Sequence, residues 1–489
     1  MRSAYDAEAV RAAEQPLLDS LPEGTLMQRA SFALARRCAA LLGQAYGSRV
    51  VLLVGSGGNG GDALYAGAKL AERGVRVDAL LLTERPLAPA LQALHRAGGR
   101  SMPAGTDIDA DLIDRADLVV DGMVGIGATG ALRDPMARVA RMLDAASATV
   151  VAVDVPSGAD ASTGEVPGVA VRADVTVAFG AMKIGLLVDP GAEYAGMVEC
   201  VDIGLSLPPA PVESLDAADV SELLPSPSAE SDKYRRGVLG VLAGSNAYPG
   251  AALLCVGGAL AAGVGMVRFV GTYGPAHVVR LRRPEAVVTE IAAGDADAML
   301  AAGRVQAWVI GPGLGTDDDA KRLVRAVLTT DVPVLLDADA ITIVAAEPDL
   351  IRSRTAPTLL TPHAGEFARL TGSDRTAIEA ARLTAVRDGA KSLGVTILLK
   401  GSSTLVATPD GTVRVNTAST PYLATAGSGD VLAGVCGALL AGGLNPLDAG
   451  SAGAFIHGLA GLIASGVPAC SISATDIVDA ISAALADLP

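Results

Sequence analysis

Along the chain, short runs of β-branched residues and leucine recur at intervals that leave room for a helix between them. In the first half they are 50–54 (VVLLV), 75–82, 117–121 (DLVVD), 149–154 (TVVAVD), 174–179 and 197–203. In the second half they are 238–243, 266–271, 306–311, 332–337, 357–361, 395–400 and 403–415. Most end in a Gly-, Asp- or Ser-rich loop and lead into an Ala/Leu segment with helical spacing. Continuous apolar runs suit strands covered on both faces, and strand–helix alternation suits a parallel sheet. The run 403–415 is broken by Pro409-Asp410-Gly411, which predicts a hairpin. Residues 1–47 carry helical spacing and are expected to pack on the first sheet or on a partner subunit. Pro208, Pro209, Pro211, Pro225 and Pro227 punctuate 205–228, a linker with its boundary near 212. Two α/β domains are therefore expected, 1–211 and 212–489.

Composition narrows the classes. Of 489 residues 50% are hydrophobic and 19% charged, enough to build large cores and too apolar for a disordered chain. The net charge of −15, without any basic block, argues against a nucleic-acid partner. The uncharged stretch 237–267 includes Asn246, Pro249 and many glycines, so it reads as strand, loop and helix rather than a membrane span. The first residues have no apolar core of a secretory signal. Cys38, Cys200, Cys255, Cys436 and Cys470 show no C-x-x-C spacing and are expected as small hydrophobes in a reducing cytoplasm. An Ala/Gly-rich chain with few charges also suggests a homo-oligomer.

The first candidate constellation is the strand–loop–helix around Gly55-Ser-Gly-Gly-Asn-Gly-Gly-Asp62. Gly55, Gly57 and Gly60 have the spacing of a dinucleotide fingerprint, and Asp78 is expected near the end of the next strand as a ribose-binding acid. Asp62 is expected in the first helical turn, where its carboxylate would repel the phosphate that a helix N-terminus otherwise favours. Asn59 and Asp62 offer oxygens that suit a cation, a hydroxyl or an amide. Asp121 (DLVVDGMVGIG) and Asp154 (VVAVDVPSG) end two further strands, with Ser157 three residues on. Strands of an open parallel sheet deliver their C-terminal ends to one crevice, so these loops should converge. Asn59, Asp121 and Ser157 would then cage a hard cation and leave Asp154 as acid or base. Taken singly, each reads as well as the cap of a following helix or turn.

In the second half, Thr425-Ala-Gly-Ser-Gly-Asp430-Val-Leu-Ala-Gly434 opens a long apolar helix. Successive backbone N–H groups of Gly427, Ser428 and Gly429 would form an anion hole for a moving phosphoryl group, with Asp430 beside it as base. Lys400-Gly401-Ser402-Ser403-Thr404 follows a strand and sets an ammonium and hydroxyls near nucleotide phosphates, in an order that is not a Walker A loop. Gly311-Pro-Gly-Leu-Gly315, Leu336-Asp-Ala-Asp-Ala340 and Thr361-Pro-His-Ala-Gly-Glu366 end other strands. His95, His277, His363 and His457 lack metal-ligand spacing, which argues against zinc. His363 by itself reads equally as a solvated loop residue.

Gly55-Ser-Gly-Gly-Asn-Gly-Gly-Asp62, Val120-Asp121-Gly-Met-Val-Gly-Ile-Gly127 and Ala152-Val-Asp-Val-Pro-Ser-Gly158 resemble the NAD(P)HX epimerases over roughly 5–205. The resemblance implies a Rossmann-like three-layer αβα domain with potassium held by Asn59, Asp121 and Ser157. It implies substrate contact from Gly58, Asn59, Gly60, Gly61, Asp62, Gly125, Ile126, Gly127 and Asp154, with Asp154 catalytic. Gly58 stands where that family has its first Asn, and Ala63 follows Asp62 as a second departure. Asn246-Ala-Tyr-Pro-Gly-Ala251, GPGLG, DADA, TPHAGE, LLKG and AGSGD, in that order, resemble the ADP-dependent NAD(P)HX dehydratases over about 213–489. This implies an α/β, ribokinase-like αβα domain in which Ala251, Gly313, Gly315, His363 and Asp430 touch the hydrated cofactor. Lys400, Gly401, Ser402, Ser403, Thr404 and Gly429 would hold ADP with Mg²⁺, and Asp430 would be catalytic. Ala364 replaces a usual Pro, and A-G-S-G-D a usual G-G-T-G-D.

Together the halves imply repair of NADHX and NADPHX: R and S hydrates interconvert in the first, and ADP-dependent dehydration in the second returns NAD(P)H with AMP and phosphate. The alternative is a ribokinase-like vitamin or sugar kinase fused to a Rossmann binding or dehydrogenase domain. A third reading makes the N-terminal half a scaffold without turnover.

Overall fold

The sequence Arg49–Val54, RVVLLV, shows why the first half folds as it does. Val50, Leu52 and Val54 belong to one apolar core, and Val51 and Leu53 to another. The same split recurs in Leu118–Gly122 and Thr149–Val153, where Val120 and Val151 face the first core and Val119 and Val150 the second. Side chains of period two that are buried on both faces require a helical layer on each side. Burial of each Val or Leu contributes about 1.5–3 kcal/mol.

The computed structural model describes residues 1–225, 230 and 232–489. It divides into two compact units, one made of Ser3–Val212 with 380–382, the other of Met1, Arg2, 213–379 and 383–489. The end of the expected linker, with Pro227, lies outside the described residues.

The sheet of the first unit runs, in spatial order, Arg100–Pro103, Arg76–Leu81, Arg49–Val54, Leu118–Gly122, Thr149–Val153, Val175–Phe179 and Met197–Val201, with every pair parallel. Leu53 pairs with Asp121 and Asp121 with Ala152, so the ends carrying Gly55, Asp121 and Asp154 share one rim. Asp78 departs from expectation: it pairs with Val51 near the start of its strand, well before the rim. The N-terminal helices are Ala7–Ser20 and Thr25–Leu42, and Leu26, Leu34 and Cys38 of the second pack on the first sheet's core. A short strand the sequence did not predict, Arg2–Tyr5, pairs Tyr5 with Lys183 and brings the first helix to the rim.

In the second unit the strands run Val287–Glu290, Met266–Gly271, Val238–Leu242, Ala307–Ile310, Val334–Leu336, Thr358–Leu360 and Thr396–Leu399, all parallel. The antiparallel strands Thr404–Ala407 and Val413–Asn416 follow. Ile310 pairs with Leu336 and Leu336 with Leu360, so Gly311, Asp337 and Thr361 leave the sheet side by side, with Lys400 just past the end of Thr396–Leu399. The helix Pro446–Ser465 is long and apolar enough to cross a membrane, but Ala449, Ala452, Ile456 and Ala460 lie in the core. Of the cysteines, Cys38, Cys255 and Cys436 are buried as expected; Cys200 and Cys470 are exposed.

The helices Pro249–Ala261 and Ser428–Ala441 cross with their backbones touching at two glycines. A Cβ on Gly434 would collide with the carbonyl oxygen of Cys255, and one on Gly258 with that of Val431. Gly434→Ala is therefore expected to destabilise this unit by about 1–3 kcal/mol. Trp308 is the chain's one tryptophan and lies buried in this sheet, so its fluorescence in a urea titration reports the unit by itself. An unmoved midpoint would show that the crossing can yield.

Candidate functional site

The rim of the first sheet opens into a cavity of about 1070 Å³ lined by Gly57, Gly58, Asn59, Asp62, Gly125, Ile126, Gly127 and Asp154, and by Arg11 and Glu14 of the first helix. The glycine loop ends in the helix Gly58–Ala71, so Asp62 lies in its second turn rather than the first as expected. Gly60 is required by close approach, since a Cβ there would strike the carbonyl oxygen of Gly55. Asp62 is buried, and its Oδ1 lacks a hydrogen-bond partner. Burial, then the charges of Asp154 and Glu14, push its carboxyl well above the ordinary Asp value. This favours its neutral form, in which it would repel an anion less than the sequence alone suggests.

Asp154 holds a left-handed backbone, φ 69°, a conformation that costs a non-glycine residue about 1 kcal/mol or more. Its Oδ1 accepts from the Phe179 N–H at 2.9 Å and from the Lys183 ammonium, which also donates to the Phe179 carbonyl at 2.7 Å. Lys183 is fully buried. The sequence reading missed it, although it is the one charged residue in 175–188, an otherwise apolar stretch. Glu14 was missed too, because its place depends on the short N-terminal strand. Tyr65 and Lys69 have the spacing of a hydride-transfer pair, yet only Tyr65 lines the cavity, while the Lys69 ammonium sits 5.8 Å over the Phe32 ring.

Beneath the cavity, Asp121 and Ser157 are fully buried. Asp121 Oδ1 accepts from Ser157 Oγ at 2.7 Å and Met123 N at 3.3 Å; Oδ2 accepts from Ser157 N at 2.8 Å. Burial pushes this carboxyl up to about 6 against those hydrogen bonds. Asn59 Nδ2 donates to the carbonyls of Val124 and Val153 at 3.1 and 2.5 Å. Val124 lies between two of the expected cation ligands, its carbonyl accepting from Asn59 Nδ2 and its N–H donating to Ser157 Oγ at 3.1 Å, and the hydrogen bonds to Asp121 come from neutral donors.

In the second unit, His363, Lys400, Gly401, Ser402, Thr404, Ser428, Gly429 and His457 line a cavity of about 940 Å³. Ser403 is buried behind it. Gly427 turns the chain at φ 86° into the helix Ser428–Ala441, and the Lys400 Nζ lies 3.3 Å from where a Gly429 Cβ would stand. Lys400 is ion-paired to Asp337 at 2.8 Å and lies 3.9 Å from Glu366. Burial works against its charge, but Asp337 and Glu366 hold its pKa above the ordinary Lys value. Burial, then the charge of Asp337, pushes Asp430 up to about 7. Ala251 and Gly313 abut one another, while Gly315 N donates to Asp339 Oδ2 at 2.8 Å. Ala251, Gly313, Gly315 and Asp430 are not among the residues that line the 940 Å³ cavity, although Gly429, next to Asp430, is.

His363 caps the helix Ala364–Thr371: its Nδ1 accepts from Gly365 N and Glu366 N at 2.9 and 3.3 Å. Burial, with Lys400 nearby, lowers its pKa. The neutral ring then carries its proton on Nε2, which lies 3.4 Å from Glu366 Oε1. His457, unassigned by the sequence reading, has Nε2 3.0 Å from the Ser428 carbonyl, and burial lowers its pKa to about 4.

A family model described as NAD(P)H-hydrate dehydratase matches residues 239–483, and one described as YjeF-related protein N-terminus matches 23–185. The bifunctional NAD(P)H-hydrate repair enzyme of Mycobacterium tuberculosis is 48% identical over 448 residues, which cover 90% of this chain and 89% of its own. That of Corynebacterium glutamicum is 34% identical, covering 90% and 87%. The crystal structure of the ADP/ATP-dependent NAD(P)H-hydrate dehydratase from Bacillus subtilis, co-crystallised with ATP/Mg²⁺, matches 57% of this chain and 99% of its own. Its TM-score is 0.51 at 30% identity. A ribokinase-like superfamily protein from Enterococcus faecalis matches with a TM-score of 0.51 at 25% identity, over 58% and 98%.

Proposed function

The chain belongs to the bifunctional NAD(P)H-hydrate repair enzymes, and on that premise we propose that 1–211 epimerises hydrated NADH and NADPH while 212–489 dehydrates the S form at the expense of ADP. One observation carries this reading: a carboxyl group stands at each of two glycine-rich helix starts, buried Asp154 across the cavity from Gly58–Ala71 and half-buried Asp430 in the first turn of Ser428–Ala441. The hydrate bears a hydroxyl on the carbon next to the reduced ring's nitrogen, whose lone pair weakens that C–O bond. The neutral carboxyl of Asp62 would protonate the departing hydroxyl, and Asp154 would take a proton from water adding to the opposite face. The proton count is unchanged and the configuration inverts.

In the second unit Asp430 takes the proton of the S hydroxyl as its oxygen attacks the terminal phosphorus of ADP, and the P–O bond to AMP breaks. The Gly427 and Gly429 amides and Lys400 stabilise the moving phosphoryl group, whereas the expected Ser428 N–H donates to the Thr425 carbonyl at 3.3 Å. Phosphate then leaves the ring carbon, the nitrogen lone pair supplies the electrons, and loss of the adjacent C–H proton restores the double bond.

Asn59, Asp121 and Ser157 fit a potassium ion, since they present hard oxygens around a buried carboxylate with neutral hydrogen-bond donors. When bound, potassium would supply positive charge beneath the substrate. Mg²⁺ fits as a companion of the nucleotide phosphates: among the described residues no cluster of three or more His, Cys, Asp or Glu side chains forms a cage for it. It would neutralise phosphate charge.

The test is racemic hydrated NADH incubated with the protein, ADP, Mg²⁺ and K⁺. Complete conversion to NADH is expected at enzymatic rates, falling back towards half when tetramethylammonium replaces K⁺. A stop at half with K⁺ present would leave only the second activity standing, and no conversion would refute the dehydration, with the R-to-S ratio of the remaining hydrate deciding the epimerisation.

A further inference from the structure

The motif Leu336-Asp-Ala-Asp-Ala340 has no part in the chemistry above, yet its geometry is specific. Ala338 is held at φ 49° and ψ −114°, a strained backbone for alanine that turns the two flanking carboxylates to different partners. Asp339 accepts from Gly315 N at 2.8 Å and so ties down the GPGLG loop. Asp337 is buried, with 1% of its surface exposed. Its Oδ1 accepts from Thr361 Oγ1 at 2.9 Å and from the Lys400 ammonium at 2.8 Å. Three strand ends in parallel register supply these three residues, which makes the triad a rigid feature of the rim.

We propose that Asp337 is a positioning residue of the dehydration site, which fixes the Lys400 ammonium at the start of the helix Ser428–Ala441 and sets the field in which Asp430 works. The proposal rests on Asp430 acting as the base. Four charged groups face Asp430: Asp337 and Asp339 from the strained turn, Lys400 from its strand end and Glu366 from the helix Ala364–Thr371. Of the carboxylates, Asp337 acts most strongly on Asp430. Removing its charge takes away the main repulsion on the ionised base. It also releases Lys400 from one partner, which strengthens the pull of the ammonium on Asp430. Both effects let Asp430 lose its proton at lower pH, while the nucleotide meets a less well anchored ammonium.

The experiment is the pH profile of kcat for the full-length Asp337→Asn protein at saturating ADP and Mg²⁺, with KM for ADP measured alongside. The acid limb is expected to move down by about one pH unit, and KM for ADP to rise about ten-fold. Thr361→Val removes one anchor of Asp337 and keeps its charge, so KM should rise while the limb stays in place. Epimerisation by the same preparations and Trp308 fluorescence report folding. An unmoved limb in Asp337→Asn, even with reduced activity, overturns the proposal, as does a wild-type KM in Thr361→Val. Wild-type rates in Asp430→Asn would instead show that the base itself was misassigned.

Discussion

Asp430→Asn is expected to lower the ADP-dependent dehydration rate about a thousand-fold and to leave epimerisation at the wild-type rate. The size follows from what a positioned base supplies, about 10²–10⁴ in rate. The substitution removes the proton acceptor while keeping the shape of a side chain in the first turn of Ser428–Ala441. In the wild-type protein the pH dependence has a definite sign. Burial and Asp337 raise Asp430 to about 7, so the active, ionised form dominates above that pH and disappears below it. The dehydration rate should therefore fall about ten-fold for each pH unit below 7, and should level off above it. A stopped assay of NADH formation from purified S hydrate across pH 5–9 checks both points. A flat profile in the wild type, or a variant that retains a tenth or more of the rate, would remove Asp430 from the chemistry.

Much of this arrangement is legible in the sequence because it depends on local rules. Continuous Val/Leu runs mark the doubly covered strands, and Asn59, Asp121, Asp154 and Lys400 lie at or just after their C-terminal ends, whereas Asp430 follows an antiparallel strand and is marked by its glycine-rich helix start. That follows from the topology of parallel sheets and needs no knowledge of packing. The parts that escaped depend on tertiary contact. Lys183 reaches Asp154 only because Val175–Phe179 and the following turn fold back under it. Glu14 reaches the cavity through the pairing of Tyr5 with Lys183, a contact between residues far apart in sequence. Asp78 was misplaced because fingerprint spacing fixes the glycines and not the register of the next strand. The raised pKa of Asp62 was not legible either: its neighbours Asp154 and Glu14 come from other elements, and the sequence does not show them side by side.

Epimerisation should be the activity lost in Asp154→Asn, by about a hundred- to a thousand-fold, with the fold intact. Asparagine is suited to this position for two reasons. It tolerates the left-handed backbone that φ 69° imposes, as few other residues do. Its amide oxygen can still accept from Phe179 N and Lys183, so the buried ammonium keeps a partner. What it cannot do is take up a proton from water. Lys183→Met makes the contrast: it leaves Asp154 as a buried charge without its cation, a loss of about 3–5 kcal/mol, so activity and stability of the first unit should fall together. The measurement starts from pure S hydrate without ADP and follows the R-to-S ratio by chromatography, with far-UV circular dichroism melts of each variant. Loss of interconversion in Asp154→Asn with the first unit still folded assigns the proton transfer to the carboxylate, the melt falling because the buried Lys183 ammonium keeps a hydrogen-bond acceptor but loses its counter-charge. Wild-type interconversion in that variant would reduce Asp154 to a brace for Lys183 and leave Asp62 as the group to pursue.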